Sequence, residues 1–453
     1  MLIDTHAHLF SPNYKDDLPQ VINRAIDAGV EYIIVPATDL VSAAQSIELS
    51  EKYPMIYSTV GVHPHDTKEW NESLLPKLKE LAKHPKVVAI GEIGLDYFYD
   101  FSPKPKQIEA FQSQIELALE LHLPVVVHNR ESNEDLLEIL TMYSDKDLRA
   151  QLHCFSGSKQ MAKEIIKLGH LISFTGNITF PKLDELRAIA ASISVEDLLL
   201  ETDSPYMTPK PYRGERNEPA YVKLVAEKIA EVSGLTVDDV ARITSANVFR
   251  LFGVGRKPDV SYTYQIGHSL YINVTNRCNA DCIFCDRKGE AIIGGYNLKM
   301  EKTEEPPASF YIKEIGDPKK YNEIVFCGYG EPTIRWDVVK SIAKYVKDNG
   351  GKTRINTNGH GNVINHRDIT PELKGLIDTI SISLNTTDSK EYARIMKLNE
   401  SFFYEMIDFA KKSKGNAENV VLSAVTLDEV DIEKAQKFAE EDLGVSFRRR
   451  EYF

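Results

Sequence analysis

The chain has 453 residues, 42% of them hydrophobic, and a formal net charge of −13 at pH 7. This length allows more than one domain, and the acidic excess argues against nucleic-acid binding through a broad basic surface. The N-terminus lacks a basic segment followed by an apolar run, and no stretch approaches the roughly eighteen uninterrupted apolar residues of a membrane span. We therefore expect a cytoplasmic protein with no membrane contact.

Short apolar segments rich in β-branched residues recur over the first half of the chain, with helical periodicity between them. Eight such strands are predicted, at Leu2–Asp4, Tyr32–Pro36, Ile56–Val62, Val87–Ile93, Pro124–His128, Gln151–Cys154, Leu171–Thr175 and Asp197–Glu201. Eight repeats of strand and helix predict a closed parallel (β/α)8 TIM barrel. We assign this barrel to residues 1–253, a linker containing Gly and Pro to 254–265, and a second domain to 266–453.

Residues able to bind metal stand where the strands of the predicted barrel end, which is where such barrels place their active sites. His6 and His8 are two residues apart, so both side chains can point to the same side of an extended chain. The full set is His6, His8, Glu92, His128, His153 and Asp203. Four imidazoles and two carboxylates predict two divalent ions, Mg, Mn, Fe or Zn, that share one bridging carboxylate. Such a pair is suited to phosphodiester hydrolysis.

Several motifs of this half resemble the TatD family of metal-dependent deoxyribonucleases, within the amidohydrolase superfamily. They are Ile3–His8, Gly61–His65, Gly91–Asp96, His153–Gly157, Glu201–Pro205, Arg213–Pro219 and Asn247–Phe252. The resemblance implies that DNA is the substrate. It also implies one ion held by His6, His8, Glu92 and Asp203, and a second held by Glu92, His128 and His153.

The same resemblance implies that His63 and His65 contact the scissile phosphate, and it favours a phosphate-binding role for Arg213 over that of a surface charge. Glu201 lies two residues before Asp203 and is expected to face the same interior. It either orients or deprotonates the attacking water, or it is a buried acid behind the ligands. The catalytic candidates are Glu92, Asp203, Glu201 and His63.

A second series of strands and helices follows the linker. Its predicted strands are Ser269–Val274, Glu323–Cys327, Thr353–Thr357, Thr379–Leu384, Val420–Val425 and Val445–Arg450. Six strands predict an open, partial (β/α)6 barrel.

Three cysteines, Cys278, Cys282 and Cys285, follow the first of these strands with the spacing C-x3-C-x2-C. Three thiolates on one loop can hold three irons of a [4Fe–4S] cluster and leave the fourth iron open. A zinc site would need a fourth protein ligand, and no nearby Cys or His has a suitable spacing. We therefore predict an iron–sulfur cluster.

This spacing, with Phe284 before the last cysteine, resembles the radical S-adenosylmethionine (SAM) superfamily, and the loop Cys327–Thr333 resembles its glycine-glutamate-proline loop. The resemblance implies reductive cleavage of SAM, with electrons from an external donor. It implies SAM contacts from Phe284, Gly328, Gly330, Glu331, Pro332, Asn356 and Ser383, with Glu331 receiving the methionine amino group. Asn356 and Ser383 could equally be cap or turn residues.

The predicted function is a bifunctional enzyme, a dinuclear-metal deoxyribonuclease joined to a radical SAM domain whose substrate is open. The chain stops at Phe453, after the sixth predicted strand, so the substrate wall is expected from the barrel or a partner. An alternative keeps the metal barrel but gives it a small phosphodiester, a nucleotide or an aminoacyl ester as substrate. In that alternative, the second domain is a cluster-bearing binding or regulatory module. The oligomeric state is not readable from the sequence.

Overall fold

The structure is a computed structural model that describes residues 1–427 and 430–450. The chain divides into two compact units, Met1–Lys257 and Pro258–Phe453. Among the helices in the described ranges, none is both long and apolar enough to cross a membrane.

The first unit alternates strands and helices. Its strands are β1 (Leu2–Asp4), β2 (Val30–Val35), β3 (Ile56–Val60), β4 (Val87–Asp96), β5 (Val125–Arg130), β6 (Ala150–Leu152), β7 (Leu171–Phe174) and β8 (Leu198–Leu200). Its helices are α1 (Leu18–Asp27), α2 (Leu40–Lys52), α3 (Leu75–Leu81), α4 (Lys104–Leu121), α5 (Asn133–Met142), α6 (Lys159–Lys167), α7 (Asp184–Ala191), α8 (Val222–Ser233) and α9 (Val237–Phe252).

These eight strands form one parallel sheet in sequential order, β1 to β8. The segments that follow β8 and β1 close the ring: the Thr5 amide donates to the Leu200 carbonyl over 3.0 Å, and Ala7 forms a parallel bridge with Ser204. The predicted (β/α)8 barrel is confirmed.

Helix α9 covers the amino-terminal end of the barrel. It begins at a capping box between Thr236 and Asp239 and ends at Gly253, whose positive φ of 68° suits a residue without a side chain. Its residues Val248 and Leu251 belong to a core cluster with Ile3 and other strand residues. That end of the barrel is therefore filled with apolar side chains, and the opposite end carries the polar residues.

The second unit also alternates strands and helices. Its strands are β9 (Thr263–Ile266), β10 (Ser269–Ile272), β11 (Ile292–Ile293), β12 (Tyr296–Asn297), β13 (Ile324–Phe326), β14 (Thr353–Thr357), β15 (Thr379–Ser383), β16 (Asn419–Val425) and β17 (Ser446–Arg450). Its helices are α10 (Ala308–Ile315), α11 (Trp336–Asp348), α12 (Gly361–Ile364), α13 (Ser389–Met396), α14 (Ser401–Ser413) and α15 (Ile432–Lys437).

The main sheet of this unit has the order β17-β16-β15-β14-β13-β10-β9. The six predicted strands are all present and pair in parallel. The seventh, β9, runs antiparallel to β10 and was not predicted. It corrects the linker assignment, because residues from Thr263 onward belong to the sheet. The alternation in Thr263–Ile266, which buries Tyr264, was the available signal.

Candidate functional sites

The six predicted metal ligands of the barrel lie together at its carboxyl-terminal end. His6 and His8 follow β1, and their Nε2 atoms are 3.2 Å apart. The His8 amide donates to the Ser204 carbonyl and the Asp203 amide donates to the His6 carbonyl, each over 2.8 Å. The backbone bonds that close the barrel therefore also place three of its metal-binding side chains.

Glu92 lies between two pairs of imidazoles. Its Oε2 is 3.2 Å from His6 Nε2 and 3.6 Å from His8 Nε2. Its Oε1 is 2.8 Å from His153 Nε2 and 3.0 Å from His128 Nδ1. Each carboxylate oxygen thus faces a different pair, as the bridging ligand of a two-ion site would.

An irregularity in β4 accompanies the inward position of Glu92. The pairing of β4 with β5 shifts register between Ile90 and Ile93. The two strands are in close contact here, because a Cβ atom on Gly91 would lie 2.7 Å from the Cβ of Val126. Only glycine fits at residue 91, and the carboxylate follows it directly.

Asp203 completes the group around His6 and His8. Its Oδ1 is 3.5 Å from His8 Nε2 and 3.8 Å from His6 Nε2. Ligand atoms each about 2.1 Å from one ion are separated by about 3.0–3.4 Å, so these donors need little movement to share an ion. Imidazole and carboxylate donors in this number fit a pair of divalent cations.

The carboxylates of the cluster remain ionised despite their burial. Burial alone would raise the pKa of Glu92, but the charges of His153 and His6 outweigh it and hold that pKa well below its ordinary value. Burial likewise opposes ionisation of Asp203, but its hydrogen bond with His8 and the charge of His6 lower its pKa. Both acids can therefore serve as anionic ligands at neutral pH.

Asp96 lies behind His128. Its Oδ2 is 3.0 Å from His128 Nε2 and 2.8 Å from His65 Nε2. When His128 Nε2 carries the proton and donates it to Asp96, Nδ1 presents a lone pair toward Glu92 and His153. Asp96 therefore sets the orientation and tautomer of His128.

Glu201 faces the interior as expected, but protein donors occupy both of its oxygens. Oε1 accepts from the Cys154 amide over 2.6 Å, and Oε2 accepts from Gln151 Nε2 and Ser173 Oγ, each over 2.7 Å. Its Oε1 is also 3.6 Å from His153 Nδ1. This arrangement favours a role in positioning His153.

The structure places the three predicted phosphate-binding residues differently. His63 Nε2 is 3.4 Å from Glu92 Oε1, close enough for His63 to be an alternative metal ligand, and burial lowers its pKa to about 4. His65 lies beside it, with ring centres 4.4 Å apart. Arg213 is exposed on the segment after β8, with its guanidinium 4.3 Å from the centre of the Phe180 ring.

Three exposed aromatic side chains, Phe98, Tyr99 and Phe101, follow β4, and we call them the aromatic rim. The rings of Tyr99 and Phe101 are stacked with centres 5.1 Å apart, and the Phe101 ring is 4.8 Å from that of His65. The Arg130 guanidinium lies 4.0 Å from the centre of the Phe98 ring. Sequence analysis missed this rim, although the aromatic run directly after Asp96 was a visible signal.

The three cysteines of the second unit lie half-buried on the loop after β10. Burial raises the pKa of Cys282 to about 12, and the charges of Cys278 and Cys285 add to the effect. The negative charges of these thiolates disfavour one another unless a cation neutralises them, so the donor set fits a metal cluster.

His360 contacts this loop but is poorly placed to complete a zinc site. Its Nδ1 is 3.0 Å from Asn279 Nδ2, and its Nε2 is 3.0 Å from the Tyr392 hydroxyl. Both ring nitrogens are thus engaged, which favours the open-iron interpretation of the cysteines over zinc.

Glu331 is buried after β13, and protein groups bind both of its oxygens. Oε1 accepts from the Thr333 amide over 3.0 Å, from Thr333 Oγ1 over 2.7 Å and from Thr357 Oγ1 over 2.8 Å. Oε2 accepts from the Asn358 amide over 2.8 Å. Glu331 therefore joins the loops after β13 and β14, a role that sequence analysis did not predict.

The loop of Glu331 also packs tightly on the segment that leads to the cysteines. A Cβ atom on Gly330 would lie 2.1 Å from the Thr275 carbonyl oxygen, and one on Gly328 would lie 2.3 Å from Asn273 Oδ1. Glycine is required at both positions by this close approach. Pro332 follows within the same loop and is buried.

The remaining predicted SAM contacts fall in two places. Asn356 on β14 and Ser383 on β15 line one cavity on the sheet. Phe284 is half-buried between two cysteines and packs against the core of the unit. Asn358, beside Asn356, donates to Asn279 Oδ1 over 2.7 Å, which ties the end of β14 to the cysteine loop.

Comparison with known proteins gives a separate result for each unit. The family model described as TatD related DNase matches residues 3–253, and that of the Radical SAM superfamily matches residues 272–441.

Three similar proteins each cover 56% of this chain. A protein described as an uncharacterized metal-dependent hydrolase, YabD of Bacillus subtilis, is 44% identical over 254 residues, which are 56% of this chain and 100% of that protein. The 3′-5′ ssDNA/RNA exonuclease TatD of Salmonella typhimurium is 38% identical over 259 residues, which are 56% of this chain and 99% of that protein. The crystal structure of the TatD homolog YJJV of Escherichia coli K12 superposes with a TM-score of 0.54 at 34% identity, covering 56% of this chain and 98% of that one.

Proposed function

The chain belongs to the TatD-related DNase family and carries a radical SAM domain after its barrel, and from this premise we propose a bifunctional enzyme of the cytoplasm. The barrel, residues 1–253, hydrolyses phosphodiester bonds of single-stranded nucleic acid with two divalent ions. The second domain, from Thr263 onward, cleaves SAM reductively at a [4Fe–4S] cluster and acts on a substrate different from that of the barrel.

One observation carries the hydrolase proposal: the two oxygens of Glu92 each face a separate pair of imidazoles. His6, His8 and Asp203 would hold one ion with Glu92 Oε2. His128 and His153 would hold the other with Oε1. When bound, the ions supply Lewis acidity at the phosphoryl oxygens and a bound water of lowered pKa.

Neighbouring residues position these ligands and the substrate. Asp96 orients His128. Glu201 supports His153 from behind, and we assign it to that role rather than to deprotonation of the water. The phosphate oxygens of the substrate are bound by His63, His65 and Arg213. His63 is also an alternative ligand of the metal ions.

The aromatic rim supports a nucleic acid as substrate over a small phosphodiester. Phe98 is 50% exposed and Phe101 57% exposed, and the Phe101 ring lies beside His65 at the mouth of the barrel. Exposed aromatic rings bind unpaired bases by stacking, which needs no basic surface and so agrees with an acidic chain. The Salmonella relative, named as an exonuclease of ssDNA and RNA, points the same way.

The test compares a single-stranded oligonucleotide with bis(p-nitrophenyl) phosphate in the presence of Mn²⁺. Asp203→Asn is expected to abolish hydrolysis of both without unfolding the barrel, and full activity in that variant would refute the metal assignment. Replacing Tyr99 and Phe101 by Ala is expected to raise KM for the oligonucleotide by about tenfold, since each stacked base contributes about 1–3 kcal/mol, and to spare the small substrate. An equal effect on both substrates would favour the small-phosphodiester alternative.

For the second domain, the proposal rests on three cysteines beside a glycine-rich loop that closely contacts their segment. Cys278, Cys282 and Cys285 would hold the cluster, and an external donor would supply its electron. The bound cluster would supply one electron for the cleavage of SAM into methionine and a 5′-deoxyadenosyl radical. Asn356 and Ser383 would contact the SAM carboxylate and ribose.

The test is anaerobic reconstitution with iron and sulfide, followed by reduction in the presence of SAM. The wild type is expected to bind four irons per chain at this site and to release 5′-deoxyadenosine. Cys282→Ser should lose both properties, whereas Cys154→Ala, which removes a thiol of the barrel, should keep its iron. Iron binding without any 5′-deoxyadenosine, in the presence or absence of candidate substrates, would favour the binding-module alternative.

A further inference from the structure

The sheet of the second unit lines a cavity of about 380 Å³, counted with its open mouth. Side chains from five strands line it: Tyr271, Arg354, Asn356, Ser381, Ser383, Ser423, Arg448 and Arg450. Only Asn356 and Ser383 belong to the proposed SAM contacts. The other residues have no function in the chemistry described so far.

The cavity is cationic although the whole chain carries a net charge of −13. Three of its lining residues are arginines and none is acidic. Arg354 is neutralised by Glu323, with Nη2 and Oε1 2.8 Å apart. Within the described residues, neither Arg448 nor Arg450 forms an ion pair with a carboxylate. Arg448 is exposed and Arg450 half-buried, so two positive charges face this space with no counter-ion among the residues that the structure describes.

Arg450 has a donor without an acceptor. Its Nη2 donates to Ser383 Oγ over 3.1 Å and lies 3.5 Å from Asn385 Oδ1, while its buried Nε has no hydrogen-bond partner among the described residues. Burial lowers the pKa of this guanidinium, and the like charge of Arg448 lowers it further. A buried guanidinium is costly unless an anion accepts its hydrogen bonds.

Two serines outside the proposed SAM contacts suit the same ligand. Ser381 lies on β15 and Ser423 on β16, so that their hydroxyls line the space beside the arginines. Guanidinium groups combined with hydroxyl donors form the usual protein site for carboxylate or phosphate oxygens.

We propose that this cavity binds the anionic group, a carboxylate or a phosphate, of the substrate on which the radical domain acts. The assignment rests on the proposed radical chemistry. The cavity, counted with its open mouth, has a size that suits the anionic group of a small organic acid or of a mononucleotide. A second source of the same chemistry is the carboxylate of SAM. We favour the substrate because β17, which carries Arg448 and Arg450, lies four strands away from β13, which leads to the Glu331 loop, whereas the proposed SAM contacts Asn356 and Ser383 lie on β14 and β15 between them.

The test measures equilibrium binding to the full chain with its cluster reconstituted, in a Glu92→Gln background that prevents phosphate from binding at the barrel ions. The probes are succinate, inorganic phosphate and dCMP, with deoxycytidine as the uncharged control. At least one anionic probe is expected to bind, and deoxycytidine is not. Succinate binding alone would identify a carboxylate, and binding of phosphate and dCMP a phosphate ester.

Arg448→Gln and Arg450→Gln are each expected to lower the affinity for the bound probe by about tenfold or more, because each removes a charge-assisted hydrogen-bond donor. Arg450→Lys keeps the charge and should retain part of the affinity, which separates loss of charge from misfolding. Arg449→Gln is the matched control, since alternation along β17 directs residue 449 to the other face of the sheet. The proposal fails if no anion binds at millimolar concentration, or if Arg449→Gln has the same effect.

The same samples are assayed for SAM affinity and for 5′-deoxyadenosine. If the two substitutions weaken the binding of SAM and leave the binding of the probes unchanged, the arginines bind the SAM carboxylate and the substrate assignment is wrong. If the wild type binds a probe but never cleaves SAM, the radical function fails and the anion site remains. The two failures are thus distinguishable.

Discussion

Glu92 and Glu331 are buried acids near parallel strands, one in each unit. Glu92 lies within β4, Glu331 lies in the loop after β13, and each is 2% exposed. Their surroundings differ. Imidazoles surround Glu92 and lower its pKa against the effect of burial. Neutral amides and hydroxyls surround Glu331, and burial prevails there, so its pKa is raised.

The difference shows what each acid can do. Glu92 interacts mainly with side chains that themselves can bind a metal, so its oxygens are available to cations. Both oxygens of Glu331 accept hydrogen bonds from the loops it joins. A buried acid after a β-strand therefore predicts a site, but its partners decide whether it binds a ligand or supports the loops that do.

The largest effect is expected for Glu92→Gln, which removes the shared carboxylate and keeps its size. We expect both ions to be lost and the rate of phosphodiester hydrolysis to fall by about 10³-fold or more. Metal analysis after dialysis and an oligonucleotide assay check this. Glu331→Gln is the control and should retain both metals and hydrolysis. If the Glu92→Gln variant keeps both ions, the proposal that Glu92 bridges them is wrong.

The second prediction concerns Glu331→Ala. The substitution leaves the amides of Thr333 and Asn358 without an acceptor, and each buried donor that lacks an acceptor costs about 1–3 kcal/mol of stability. We expect the free energy of unfolding of the second unit to fall by about 3 kcal/mol, and Glu331→Gln to lose less because it keeps one acceptor. Urea unfolding followed by Trp336 fluorescence, with Trp70 replaced by Phe, measures this.

If Glu331→Ala instead leaves stability unchanged and abolishes SAM binding, then Glu331 receives the methionine amino group, as the family resemblance implied. The comparison with Glu92 would then fail, because both acids would act on ligands.

Asp96→Asn sharpens the comparison within the barrel. Asp96 contacts His128 and no other member of the metal-ligand set, so the substitution should disturb one metal ligand. The same oxygen also contacts His65, which is proposed to bind phosphate. We expect metal affinity to fall by about 10–100-fold, as for other residues that orient a metal-bound histidine. Titration with Mn²⁺ measures it, and an unchanged affinity would show that His128 needs no orienting partner.

Much of this fold was predictable because parallel strands buried on both faces are nearly continuous apolar runs. The strands of the barrel and the six parallel strands of the second sheet were all found. Strand β9 was missed because four residues next to a Gly- and Pro-containing segment carry a weak signal, and only pairing with β10 makes them a strand.

The set of metal-binding side chains was also predictable, since it depends on residue type and position at strand ends. What each polar group touches was not. The three hydrogen bonds that hold Glu201 come from β6, β7 and the segment after β6, and no spacing in the sequence predicts them. The arginine cavity likewise requires five strands to be brought together.

The smallest effect concerns a buried imidazole that lacks the partners of the metal centre. His170 precedes β7 and is 3% exposed, and both its ring nitrogens lack hydrogen-bond partners among the described residues. Burial lowers its pKa from 6.5 to about 4. By contrast, contacts with Asp96 and Glu92 outweigh burial at His128 and raise its pKa.

Between pH 6.5 and pH 4 the unfolded chain binds a proton at His170 that the folded chain does not, so the folded state loses stability as the pH falls. From pH 7 to pH 5.5 this loss is about 1 kcal/mol. The His170→Leu variant should lack this contribution. Over the same pH range, its free energy of unfolding should therefore fall by about 1 kcal/mol less than that of the wild type. Urea unfolding followed by Trp70, with Trp336 replaced by Phe, measures both. Other histidines contribute equally to the two proteins, so identical pH dependence would mean that His170 is protonated, or hydrated, in the folded barrel.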